Sequence, residues 1–153
     1  MNKIEFRDVH DDDWDFLVKI RNASHELHGN TSIFTKQEYK KYIENQLLEN
    51  KSNRHWIIMY EDKMMGHAKI INQVIGYIFA PEFQGKGLLK FVFDKFETEV
   101  AKLGYLTMLG RVKITHPVSL WQCMKHGWKM VGLEMNEDPE LSEYKLSKDI
   151  KNS

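Results

Sequence analysis

The chain has 153 residues, enough for one domain with a real core and too few for two; the expectation is one domain over residues 1–153. Its 22 basic and 22 acidic side chains cancel, which argues against nucleic-acid binding as the main role, and the single Cys123 excludes an internal disulfide or a cysteine zinc cluster. The first residues lack the apolar run of a signal peptide and no stretch reaches the ~20 apolar residues of a membrane span, so a cytoplasmic protein with no membrane partner and no bound metal is expected.

Taken in order, Ile4 to Val9 alternates and predicts a strand. Asp11, Asp12 and Asp13 are helix-capping acids, followed by Trp14, Leu17 and Ile20 at helical spacing, with the helix ending near Arg21 and Asn22. The polar stretch from His25 to Ser32 reads as a loop. Thr35 and Glu38 form a capping box, after which Tyr39, Tyr42, Ile43 and Leu47 line one face of a helix to about Glu49. His55 to Tyr60 and Met64 to Ile71 read as a hairpin around a turn at Glu61 to Lys63. Val74 to Ala80 is a further strand, broken at Pro81-Glu82-Phe83. A glycine turn, Gln84-Gly85-Lys86-Gly87, then leads into an apolar helical run from Leu88 to Leu103, closed by Gly104.

Tyr105 to Ile114 is rich in β-formers and predicts a strand, with Gly110 as a candidate bulge. Pro117 suits the first turn of a helix whose inner stripe is Leu120, Cys123 and Met124 and whose stop is Gly127. Trp128 to Met135 and Glu143 to Leu146 read as two closing strands. This element order predicts an α/β (α+β) fold: a central, mixed but mostly antiparallel twisted sheet of about seven strands, with about four helices.

The stretch from Gln73 to Gly104 carries the chemistry. Strand, glycine turn and helix together aim backbone N–H groups at an anion. The first N–H groups of a helix have no internal partner, and the helix dipole adds positive charge there. A P-loop is excluded, because Gly87 is followed by Leu88 and Leu89 rather than Lys and Ser or Thr. A dinucleotide fingerprint is excluded, because Lys90 occupies its third glycine position. The run Pro81-Glu82-Phe83-Gln84-Gly85-Lys86-Gly87-Leu88-Leu89 instead resembles the acyl-coenzyme-A loop of the GNAT superfamily of N-acetyltransferases, with Leu89 standing where that family usually has Gly or Ala.

A second likeness is the helix before a glycine–aromatic pair. Ser119, Gly127 and Trp128 match that family pattern, while His116 stands for its Asn and Cys123 for its Tyr. The resemblance covers nearly the whole chain and is strongest from Gln73 to Trp128. It implies the GNAT fold, acetyl-coenzyme A as cofactor, and direct attack of a primary amine on the thioester, with an oxyanion held by a backbone N–H at Ile78 or Phe79. Ile78, Phe79, Gln84, Gly85, Lys86, Gly87, Leu88, Leu89 and Ser119 are the implied cofactor residues. The family's Tyr often protonates the departing thiolate, so its replacement by Cys123 leaves either that thiol as proton donor or no side-chain acid.

Candidate bases are His67, Tyr77 and His116; a helix N-terminus would favour the neutral form of His116. Arg21 and Asn22, followed by a loop and Tyr39-Lys40-Lys41-Tyr42, resemble the layout of the amino-sugar and ribosomal-protein N-acetyltransferase branch. That resemblance implies an acceptor site at Arg21, Asn22, His28 and Tyr39. The implied partner is a small-molecule or peptide amine: a small amine or nucleotide-linked amino sugar first, a protein N-terminus or lysine second. The implied assembly is a monomer or homodimer. A non-catalytic acyl-coenzyme-A-binding module and a phosphate-binding regulatory domain remain as rivals.

Overall fold

The computed structural model describes residues 3–24 and 33–151. In chain order it contains β1 (Ile4–Asp8), α1 (Trp14–Ala23), α2 (Lys36–Glu49), β2 (Arg54–Tyr60), β3 (Lys63–Ile71) and β4 (Val74–Phe79). There follow α3 (Leu89–Lys102), β5 (Thr107–Lys113), α4 (Pro117–Lys125), β6 (Lys129–Glu134) and β7 (Glu143–Asp149). The strands form one seven-stranded sheet in the order β1-β2-β3-β4-β5-β7-β6. Every neighbouring pair is antiparallel except β4 and β5, which are parallel. Seven strands, four helices and a mixed, mostly antiparallel sheet are the architecture the element order predicts.

The period-2 alternation of the strands divides the core between two faces. Ile57 faces α1 and α2, where it packs with Trp14, Leu17, Tyr39 and Ile43. Trp56, Ile58, Ala68 and Ile70 face the other way, toward Val92, Phe93, Phe96 and Val100 of α3. Those four α3 residues fall on one side of a helix, and each buried aromatic or aliphatic side chain contributes about 1.5–3 kcal/mol. The expected capping box starts α2: the Thr35 N–H donates to Glu38 Oε1 at 2.9 Å and the Glu38 N–H to Thr35 Oγ1 at 3.2 Å.

Three local expectations are corrected. Gly110 is no bulge: it pairs with Leu146 in an unbroken β5–β7 register, and the register shifts lie at Ile58/Met59 and Met130/Gly132. What Gly110 provides is room, since a Cβ there would come within 3.1 Å of the Trp128 ring. Met124 is exposed rather than inward, so Cys123 is the buried residue of α4. The last strand runs on to Asp149 because β5 offers partners as far as Thr107. The His25–Ser32 loop, with His28, lies outside the described residues.

Candidate active site

The parallel pair β4–β5 is joined at one register position, Val74 opposite Leu109, where the Leu109 N–H donates to Gln73 O at 3.1 Å. Beyond it the strands part. Strand alternation fixes which backbone groups face the gap. The Ala80 N–H donates toward β3, to Met65 O at 2.8 Å, whereas Gln73 turns its carbonyl to β5. Odd-numbered residues of β4 therefore present their N–H groups to the β5 side, and even-numbered ones to β3. By this alternation the N–H groups of Tyr77 and Phe79 face the gap, while that of Ile78 is directed at β3. Of the two expected oxyanion donors, Phe79 has the required orientation and Ile78 contributes its side chain to the walls.

The gap is a cleft of about 450 Å³. Its walls include Phe79 and Gln84 on one side, Gly110 to Lys113 on the other, and His116, Ser119 and Cys123 from α4. Past Gln84, Gly85 and Gly87 hold φ of +69° and +73°, a region open to glycine at no steric cost. No side chain caps α3, which leaves the N–H groups at its start for another acceptor. Lys86, Leu88 and Leu89 complete that turn.

Tyr77 and Cys123 both line the cleft, close enough to shift each other's titration. Burial pushes the Tyr77 hydroxyl well above its usual pKa, with Cys123 adding to the shift. Burial also pushes the Cys123 thiol up to about 11, against a smaller downward pull from Tyr77. Both groups keep their protons at neutral pH. A phenol from β4 thus stands near the Cys123 thiol of α4. His116 lies in the same cleft at the start of α4, its Nδ1 2.8 Å from Thr115 Oγ1.

A second pocket, of about 220 Å³, lies under α1 and α2. It shares Lys69, Gly76, Tyr77 and Ile78 with the cleft, so the two spaces adjoin at the middle of β4. Arg21, Phe34, Tyr39, Tyr42 and His67 complete its described lining. His67 belongs to a buried polar chain. Gln46 Nε2 donates to the Tyr42 hydroxyl at 3.1 Å, which turns Gln46 Oε1 to His55 Nε2 at 2.8 Å. His55 Nε2 must then carry the proton, and His55 Nδ1 accepts from His67 Nε2 at 2.9 Å. The other ring nitrogen of His67, Nδ1, lies 3.5 Å from the Tyr39 hydroxyl. Burial, then the nearby Lys69 charge, lowers the His55 pKa to about 3, so His55 stays neutral and the tautomer order holds.

Arg21 is 7% exposed, and its Nη1 has no hydrogen-bond partner among the described residues. Its guanidinium sits over the Phe34 ring, 5.1 Å from the centroid. Asn22 holds that ring in place: its side chain donates to Phe34 O at 2.9 Å and accepts from the Phe34 N–H at 3.0 Å. Asn22 is thus tied to the backbone beside the pocket, while Arg21 and Tyr39 line the pocket itself.

Sequence reasoning singled out His67, Arg21, Tyr39 and Tyr77, and missed Gln46, His55, Phe34 and Lys69. The hairpin register carried part of the missing signal. His55, Ile57, His67 and Lys69 share one sheet face once Ile57 is set opposite His67.

No family model matches the chain, and neither does any curated protein. Solved structures do match. Spermidine N-acetyltransferase from Vibrio cholerae, in complex with CoA and spermine, is similar with a TM-score of 0.83 at 15% identity, over 97% of this chain and 96% of that one. Ribosomal-protein-alanine N-acetyltransferase from Brucella melitensis is similar with a TM-score of 0.77 at 13% identity, over 95% of this chain and 99% of that one. At these identities it is the fold that is shared, and the chain has the fold of the GNAT N-acetyltransferases.

Proposed function

We propose that the protein is an acetyl-coenzyme-A-dependent N-acetyltransferase acting on the primary amine of a small molecule. The observation that carries this reading is the parting of β4 from β5, which leaves strand N–H groups facing a cleft that adjoins a separate polar pocket. The residues present fit the cofactor. Tyr77 and Phe79 offer backbone donors, Gly85 and Gly87 hold positive φ with open space where a Cβ would stand, and Ser119 adds a hydroxyl. Coenzyme A, when bound there, supplies the acetyl group as an activated thioester.

The chain's own residues supply the rest. His67 Nδ1 accepts a proton from the amine, since the Gln46–His55 chain keeps the other ring nitrogen protonated. The Phe79 N–H offers a hydrogen bond where negative charge develops on the carbonyl oxygen. Tyr77 and Cys123 hold protons for the leaving side of the reaction. Cys123 is not the nucleophile: a thiol with a pKa of about 11 is barely ionised at neutral pH. His116 belongs to the cofactor cleft rather than to the amine's pocket. A pocket of about 220 Å³ lies below the roughly 300–1,000 Å³ of sites for drug-sized ligands, which favours a small amine over a nucleotide-linked one.

The test is calorimetry with coenzyme A together with thiol release from acetyl-coenzyme A across small amines, amino sugars and peptides. Saturable binding and amine-dependent release are expected. Binding without release on any amine would make the protein an acyl-coenzyme-A-binding module, and absent binding would make it a phosphate-binding regulatory domain.

A further inference from the structure

We infer that the pocket under α1 and α2 takes a small primary amine bearing its own oxyanion, a carboxylate or phosphonate, and rejects polyamines. This deepens the acetyltransferase reading and rests on it for the role of the amine. The inference starts from charge. Arg21 is buried, always charged, and lines the pocket with a nitrogen that has no hydrogen-bond partner among the described residues. Lys69 lines the same pocket. Burial lowers the Lys69 pKa, and the Arg21 charge lowers it further. No carboxylate is found among the described lining residues. The Phe34 ring offsets part of the Arg21 charge but offers no acceptor for its N–H groups.

A buried Arg21 charge beside Lys69, with no counter-ion among the described lining residues, is a costly arrangement, because a buried charge is tolerated when it is paired. A ligand oxyanion completes it, and a guanidinium matches a carboxylate or phosphonate with two parallel donors. His67 lines the same pocket and, on the proposed reading, takes the proton of the amine. The pocket therefore has a cationic part for an acid group and a basic nitrogen for an amine, within the span of a small molecule. A polyamine presents the wrong sign to Arg21 and Lys69, and like-charge contact strongly disfavours it.

The experiment is calorimetry in the presence of coenzyme A with matched probes, paired with thiol release from acetyl-coenzyme A. L-Phenylalanine is set against phenethylamine, aminomethylphosphonate against methylamine, and spermidine stands as the polycation. The acid-bearing member of at least one pair is expected to bind about tenfold or more tightly than its bare amine. Which pair shows it separates carboxylate from phosphonate. Arg21→Ala should bring that ratio near one with coenzyme A affinity unchanged, and Arg21→Lys should restore part of it. If Arg21→Ala fails to fold, the wild-type ratios decide alone. Preference for the acid without thiol release would uphold the pocket and overturn acetyl transfer. Equal or tighter binding of the bare amines or spermidine overturns the inference, and thiol release with them leaves acetyl transfer standing. Failure of every probe to bind overturns the inference as well.

Discussion

His55 and His67 lie inside the protein with ring centroids 5.1 Å apart, joined by a 2.9 Å hydrogen bond between His55 Nδ1 and His67 Nε2. The neutral His55, itself held by Gln46, fixes which nitrogen of His67 faces the pocket, and on the proposed reading that nitrogen is the base. The prediction is that His67→Ala lowers kcat about 100-fold or more while coenzyme A affinity holds, because general-base catalysis contributes roughly that much. His55→Gln should give a smaller loss in kcat, as it disturbs the aim of the ring rather than the ring itself. Steady-state kinetics with both substrates varied is the check; an unchanged kcat in a folded His67→Ala protein would assign the base to water or another residue.

At the scale of elements, β3 and β4 set the site by close backbone contact. Gly66 lies opposite Phe79, and a Cβ on it would sit 2.2 Å from the Ile78 carbonyl oxygen. That neighbour is main chain and cannot rotate away. Gly66→Ala should therefore destabilise the fold by about 1–3 kcal/mol, the usual range for overpacking, measured by denaturant unfolding. A neutral result would mean that β3 and β4 shift apart at little cost. The elements themselves were legible in the chain: the period-2 strands, the Thr35–Glu38 box and the glycine turn all stand where local chemistry puts them. The site was legible only in part. That Phe79 and not Ile78 turns its N–H to the cleft depends on strand parity, which is set by pairing with Met65 and Gln73 rather than by local sequence. The meeting of Tyr77 with Cys123, and of Gln46 with His55, arises from packing between elements. Gly110 read as a bulge because a glycine in a strand has two uses, and the one realised here, room for Trp128, needs a residue many positions away.

For the whole molecule, one strand separates two tasks. β4 has α1 and α2 above one face and α3 beneath the other, and the cleft and the pocket meet at Gly76, Tyr77 and Ile78. On the proposed reading the donor uses the open β5 side and the acceptor the pocket under α1, so each can be altered without the other. This division is the centre of the account, and amide NMR titration tests it most directly. Adding coenzyme A should shift the backbone amides of Tyr77, Phe79 and Gly85 to Lys90, and leave the Arg21 side-chain signals in place. Adding the preferred acid-bearing amine should then shift the Arg21 guanidinium and His67 ring signals. Coenzyme A perturbing Arg21 and His67 while sparing Phe79 and the glycine turn would contradict the assignment of both spaces.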